Sequence, residues 1–218
     1  MNIGILWDLD GTLLDSIQDL TDSVNFALRK YGLPEQNVSE ILSFVGNGAR
    51  RLIQLAMPGT PEDPDQEAVY VTYQEHYRDH CQIKTKPYDG IMEALAVLGE
   101  KYPQAVVSNK PDAAAKKLCA QYFPGIYALG ESGGCPRKPA PDMVHQAMKD
   151  LKLDGCVYVG DSEVDVLTAR NAGVPCLSVL WGFRDRKTLL EAGAENLCEN
   201  TAQLPEMLER IIKEVYGK

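Results

Sequence analysis

The chain has 218 residues, 44% hydrophobic and 24% charged, and its 31 acidic against 22 basic residues give a net charge of −9. That length and composition suit a globular protein that buries its own core without staples, and no lysine- or arginine-rich run favours nucleic acid or an anionic membrane. With neither a basic leader followed by an apolar stretch nor an apolar run near ~20 residues, the sequence predicts a cytoplasmic protein with no signal peptide and no spanning helix.

The first predicted element is the apolar run 3–7, Ile-Gly-Ile-Leu-Trp, which reads as a buried strand and stops at Asp8-Leu9-Asp10-Gly11-Thr12. Two carboxylates so close repel, so they are either a solvated turn or the holders of a cation. A calcium loop is excluded, because it needs oxygens at positions one, three and five with glycine at six, and here glycine follows the second aspartate directly. Residues 16–84 then carry no strand pattern. They read as four helices, over 16–31, 38–44, 49–57 and 65–80, punctuated by Gly32-Leu33-Pro34 and by the stretch 58–64. A crossover between parallel strands needs one helix, so this segment reads as an all-helical insertion on the first loop of a sheet. Within it, Gly46-Asn47-Gly48 precedes a helix, whose exposed N–H groups, with Arg50 or Arg51 beside them, suit a substrate carboxylate. His76 and His80 lie four apart on the last of these helices, but no third ligand accompanies them, and a packed helix face is the simpler reading.

Beyond the insertion, strands are predicted at 104–108, 126–129, 156–160, 176–180 and, more weakly, 196–198. Helices are predicted at 90–101, 112–122, 141–151, 164–172 and 204–215, the last on the spacing of Leu204, Leu208, Ile211, Ile212 and Val215. Continuous apolar strands alternating with helices predict an α/β fold, a parallel sheet covered on both faces. The six cysteines include no Cys-x-x-Cys and read as buried reduced thiols.

Three further motifs end these strands or follow them. Ser108-Asn109-Lys110-Pro111 supplies a hydroxyl, an amide and a lysine; Arg137-Lys138-Pro139 sets a lysine in a proline-flanked loop; Gly160-Asp161 is followed by Asp165. In a parallel sheet these positions and Asp8-x-Asp10 converge on the carboxyl edge, where ligands bind. Several carboxylates without histidine suit a hard, oxygen-liking ion such as magnesium, and lysine, hydroxyl and backbone N–H groups suit a phosphate. A carboxylate facing a phosphoryl group can attack it, and a second one two residues on can protonate the leaving oxygen and then activate water.

The four motifs, in this order and across the whole chain, resemble the haloacid dehalogenase superfamily. The resemblance implies a Rossmann-like catalytic core over 1–15 and 85–218, with residues 16–84 as a helical cap domain. It implies that Asp8 is the nucleophile and a Mg²⁺ ligand, and that Asp10 is the general acid/base with its backbone carbonyl also a ligand. Ser108 and Lys138 would clamp the phosphate with Asn109 assisting, and Thr12 belongs to the same phosphate-binding signature. Asp161 would ligate the metal directly, and Asp165 directly or through water. Trp7 departs from the smaller apolar residue expected there; by strand alternation its side chain points away from that of Asp8.

Within the superfamily, the cap stretch Phe44–Ile53, the Ser-Asn-Lys-Pro motif and Trp181-Gly182-Phe183-Arg184 are similar to the phosphoglycolate phosphatase group. This implies a Mg²⁺-dependent phosphatase acting through an aspartyl-phosphate on a small phosphorylated metabolite, 2-phosphoglycolate first. Gly46, Asn47, Gly48 and Arg51 would then read the substrate beyond its phosphate, though adjacency leaves open which of Arg50 and Arg51 faces inward. The implied partners are that metabolite, no nucleic acid, no membrane, and the chain itself as monomer or homodimer. Pyrophosphatase, nucleotidase, sugar phosphatase and phosphomutase are the alternatives on the same fold. Asp10 argues against a dehalogenase, and the cap lacks the Arg-Gly-x-x-Arg pattern of sugar phosphomutases.

Overall fold

A computed structural model describes residues 1–59 and 65–217. The predicted punctuation at 58–64 therefore lies largely outside the described residues. The chain begins with β1 (Ile3–Trp7), every residue of which is buried. A two-residue strand β2 (Leu14–Asp15) leads into four helices: α1 (Ile17–Lys30), α2 (Val38–Phe44), α3 (Ala49–Ala56) and α4 (Gln66–His80). After β3 (Lys86–Pro87) the alternation begins: α5 (Ile91–Gly99), β4 (Gln104–Pro111), α6 (Asp112–Tyr122), β5 (Tyr127–Glu131), α7 (Asp142–Asp150), β6 (Gly155–Gly160), α8 (Glu163–Ala172) and β7 (Cys176–Val179). A short α9 (Arg186–Glu191), β8 (Asn196–Cys198), a single 3₁₀ turn and α10 (Leu204–Tyr216) complete it.

Six strands form a parallel sheet in the order β5-β4-β1-β6-β7-β8. The order reverses at β1, which lies between β4 and β6, and such a reversal opens a crevice beyond the carboxyl end of the central strand. Strand alternation divides β1 between two cores. Ile3, Ile5 and Trp7 join the larger cluster, which α5 and α10 cover, whereas Leu6 packs with Val107, Met143, Val144 and Tyr158 under α7. Trp7 is fully buried and donates its ring N–H to Gln104 at 2.9 Å, so the bulky indole is absorbed on the face opposite Leu6. The four inserted helices bury Val24, Leu28, Ile41, Leu52, Ile53 and Val69, which are continuous with the larger cluster of the sheet. No described helix is long and apolar enough to cross a membrane, and all six cysteines are free thiols.

The elements differ from expectation in three places. β4 runs on to Pro111 rather than ending at Ser108, pairing Pro111 with Glu131 after a register shift. The ribbon of β2 and β3, antiparallel with Leu14 opposite Pro87 and Asp15 opposite Lys86, is too short to show periodicity. The third is α9, six residues of which only Leu189 is buried, started by Asp185 accepting the Thr188 N–H.

One buried carboxylate ties the inserted helices to the sheet. Asp19 in α1 accepts the backbone N–H groups of Ile83, Lys84 and Thr85 and the Thr85 hydroxyl, at 2.8–3.0 Å. Four donors converge on a side chain that is 2% exposed. Its removal would leave buried N–H groups without an acceptor. Asp19→Ala should therefore destabilise the fold by about 3 kcal/mol, read as a fall of roughly 10 °C in Tm by calorimetry. A loss within experimental error would show that water replaces the carboxylate.

Candidate active site

Asp8 follows β1 directly, and its N–H prolongs the ladder by donating to the Val159 carbonyl at 2.8 Å. The extra β6 pairing carries Asp161 and the start of α8 to the same edge. There a carboxylate oxygen from each of Asp8, Asp161 and Asp165 lies within 4.8 Å of the other two. Lys138 enters the cluster from the loop before α7. Its ammonium is 2.8 Å from Asp8 Oδ1 and 2.8 Å from Asp165 Oδ1, and it donates to the Tyr158 hydroxyl at 2.9 Å. The approach to Asp8 Oδ1 lacks hydrogen-bond geometry. Among the described residues this oxygen is the one buried side-chain polar atom with an ionic contact but no donor.

Each member of the cluster is held from behind. Asp165 accepts both the N–H and the hydroxyl of Ser162, the capping box that starts α8. Asp161 accepts the Thr12 hydroxyl at 3.0 Å and the Phe183 N–H at 2.7 Å. Gly11, at φ +85°, backs it so closely that a Cβ there would come 2.4 Å from an Asp161 oxygen. Asn109 fixes the lysine loop, accepting the Lys138 N–H at 2.7 Å and donating to the carbonyls of Lys138 and Gly46.

The electrostatics of the cluster are unbalanced. Burial pushes the Asp8 carboxyl up to about 7, against the pull of Lys138 and with the charge of Asp165 adding to it. Burial, then the charges of Asp165 and Asp8, hold Asp161 well above the carboxylate range. Burial opposes the charge on Lys138, but Asp165 and Asp8 outweigh it and raise its pKa. Three carboxylates around one ammonium leave two negative charges uncompensated when all are ionised. Together with an oxygen-only donor set and an oxygen that lacks a donor, that charge fits a hard divalent cation.

Asp10 faces a different partner. Both of its oxygens accept from the buried Lys110 ammonium, at 2.8 and 2.9 Å, and one also accepts from the Ser16 hydroxyl. Its carboxylate therefore stands outside the acidic cluster; the atom expected to ligate the metal is its backbone carbonyl.

A cavity of about 50 Å³ lies over the site. At ~10–15 Å³ per water position, that is room for a few waters or a small ligand. The sheet side presents Asp8, Asp10, Ser108, Lys110, Lys138 and Arg184; the inserted side is mainly apolar, with Leu20, Val45, Ala49, Leu52 and Tyr73. Asn109, Asp161, Gly46 and Gly48 also reach it, while Asp165 is wholly buried within the cluster. Three expected contacts do not lie there. Thr12 is spent on Asp161, and Asn47 is not part of the cavity wall. Arg51 is directed to Gln54 at 2.6 Å, and its neighbour Arg50 pairs with Glu67 and covers the Tyr70 ring, so neither guanidinium faces inward. Adjacent positions on a helix diverge, and both found partners on the insertion's own surface.

Two further cations, Lys110 and Arg184, stand in the wall. Lys110 is the third residue of Ser-Asn-Lys-Pro, and a lysine inside a strand end is a legible signal once that strand is known to continue. Arg184 ends Trp-Gly-Phe-Arg. It pairs with Glu163 at 2.9 Å and donates to the carbonyls of Leu42 and Val45 at the end of α2, satisfying groups a helix terminus leaves open. Glu163 is thereby half-buried.

A family model described as haloacid dehalogenase-like hydrolase matches residues 5–179. A phosphoglycolate phosphatase of Rhodobacter capsulatus is 35% identical over 197 residues, covering 86% of this chain and 88% of its own. One of Neisseria meningitidis is 32% identical over 222 residues, covering 95% and 92%. The crystal structure of a Lactobacillus delbrueckii subsp. bulgaricus protein, provisionally assigned as a phosphoglycolate phosphatase, superposes with a TM-score of 0.86 at 35% identity, covering 94% and 97%.

Proposed function

Since the chain belongs to the haloacid dehalogenase-like hydrolases, we propose that it is a magnesium-dependent phosphatase of small phosphorylated metabolites, with 2-phosphoglycolate as its substrate. Residues 16–84 serve as the cap and residues 1–15 and 85–218 as the catalytic core. The observation that carries the reading is the cluster of Asp8, Asp161, Asp165 and Lys138 at the strand edge, with Asp10 held separately beside it.

Asp8 attacks phosphorus and forms an aspartyl-phosphate as the bond to the leaving oxygen breaks. Asp10 gives its proton to that oxygen and then takes one from the water that cleaves the aspartyl-phosphate, so that Asp8 is freed and phosphate leaves. Lys138 and the Ser108 hydroxyl hold oxygens of the transferring group. A divalent cation held by Asp8, Asp161 and Asp165 would keep Asp8 ionised and offset the charge of the phosphate.

The choice of 2-phosphoglycolate is supported by the names of the relatives and by the small cavity, which suits a short leaving group. The start of α3, at Gly48 and Ala49, borders the cavity with no side chain capping it. Its free N–H groups would receive the substrate carboxylate in place of Arg51. Gly48, at φ +81°, has no side chain to obstruct that approach; the Glu131 carboxylate and the Arg137 guanidinium both lie near it.

Phosphate release from a panel of esters, ranked by kcat/KM, tests the assignment. 2-Phosphoglycolate should exceed 2-hydroxyethyl phosphate, which lacks the carboxylate, by about tenfold or more, the value of one charge-assisted contact. A sugar phosphate or nucleotide at the head of the ranking would overturn the substrate, and no release from any ester would overturn the phosphatase.

A further inference from the structure

The site contains two buried lysines, and only Lys138 belongs to the acidic cluster. We propose that Lys110 is the positioning residue of the acid–base carboxylate Asp10, and that Tyr77 of the inserted helices completes its hold. The inference rests on the catalytic reading of Asp10 given above.

Lys110 sits in the part of β4 that extends past Ser108, and it is 5% exposed. Its ammonium contacts both oxygens of Asp10, at 2.8 and 2.9 Å, and the Tyr77 hydroxyl at 2.5 Å, with the Tyr77 ring centroid 4.6 Å away. No other side chain accepts from it among the described residues. An ammonium that straddles a carboxylate fixes the plane of that carboxylate as well as its position, and Ser16 adds a third contact. A buried ion pair of this kind is a poor source of stability, because well-packed apolar side chains of similar volume serve as well or better. Its use is orientation.

The two lysines sort the carboxylates into two sets. Lys138 bridges Asp8 and Asp165, while Lys110 takes Asp10 alone. Asp10 is two residues from Asp8, and the loop could otherwise offer both to the same cation. Held against Lys110, Asp10 still lines the cavity in which the leaving oxygen and the water must sit. Tyr77 lies near the end of α4 and is fully buried. The proton-handling group of the core is thus set in place by a strand of the sheet and a helix of the insertion together.

A double-mutant cycle on the full chain, with an aryl phosphate and magnesium, tests this. Lys110→Met should lower kcat about 100-fold with KM within threefold, and Asp10→Asn should lower it about 10³-fold. If Lys110 acts through Asp10, adding Lys110→Met to Asp10→Asn should cost no more than about threefold further. Losses that multiply, to about 10⁵-fold, would show an independent structural or binding role and overturn the assignment. Tyr77→Phe keeps the ring and the cation, so it decides the matter if Lys110→Met does not fold: about a tenfold loss in the parent background and none beside Asp10→Asn supports the hold. Equal losses in both backgrounds overturn it. Normal turnover by Asp10→Asn would overturn the catalytic reading itself, an outcome distinct from either.

Discussion

Asp8→Asn should leave no measurable phosphatase activity, a loss of about 10⁴-fold or more, because no other group in the site can take its place as nucleophile. The nearest carboxylates are already committed: Asp165 to Ser162 and Lys138, and Asp161 to Thr12 and the Phe183 N–H. No aspartyl-phosphate should be trapped when the variant is quenched during turnover and examined by mass spectrometry. The same substitution should leave the metal-free fold at least as stable as the parent. It removes a carboxyl that burial has pushed up to about 7 and whose Oδ1 lacks a hydrogen-bond donor, and Lys138 keeps Asp165 as a partner. A variant that retains turnover within tenfold would refute the assignment of Asp8, and a sharp fall in Tm would show that Asp8 is a structural ion-pair member first.

Removing the metal should be as severe, and its consequence for stability is pH-dependent in a defined direction. Chelation should reduce turnover at least about 10³-fold, restored by Mg²⁺ and not by Ca²⁺, whose longer, looser coordination misplaces the nucleophile. In the metal-free fold burial pushes the Asp8 carboxyl up to about 7, against an ordinary value of 3.8. Above the ordinary value, the folded protein therefore holds a proton that the unfolded chain has released. Where the folded state binds more protons, stability falls as pH rises. Asp8 thus contributes a loss of stability that grows between about pH 4 and pH 7, and Asp161, raised for the same reason, adds to it. A cation at the cluster cancels the cause. Magnesium at about 100 times its Kd should stabilise by roughly 2.7 kcal/mol at pH 8, a rise of several degrees in Tm. At pH 5 the protons compete and the rise should be less than half as large. Comparing melts with and without Mg²⁺ at each pH isolates this effect from the other carboxylates. An equal rise at both pH values would mean that the cation binds elsewhere.

The sheet was legible because its strands are buried on both faces and read as unbroken apolar runs; β1 and β6 owe their whole length to that. The site was legible where the chemistry needs a residue type at a strand end, as with Asp8, Asp161 and Lys138. What escaped was the side-chain pairing that decides which of two adjacent candidates faces inward. One of Arg50 and Arg51 was expected to face inward, yet Glu67, 17 residues on, claims Arg50 and Gln54 claims Arg51. Thr12 sits inside the signature, but it serves Asp161, 149 residues away, rather than the cavity. Lys110 was legible as a lysine at the strand edge, but its pairing with Asp10, 100 residues away, was not. Partners so distant in sequence leave no periodic trace.

The ribbon of β2 and β3 makes the two halves of the molecule separately variable. Leu14 and Asp15 stand opposite Pro87 and Lys86, so the two ends of some seventy residues meet side by side at the rim of the sheet. From the sheet, the whole helical segment is a hairpin loop whose closing strands are fixed whatever lies between them. Doubling such a loop costs only about 0.6 kcal/mol in closure entropy. Length and sequence can drift there, or a segment be transplanted from another protein, while Asp8, Lys138, Asp161 and Asp165 stay in register. The limits on such grafts include Asp19, which a replacement must supply for the donors at 83–85, Tyr77, which it must supply for Lys110, and the carbonyls of Leu42, Val45 and Gly46 that Arg184 and Asn109 take from the core.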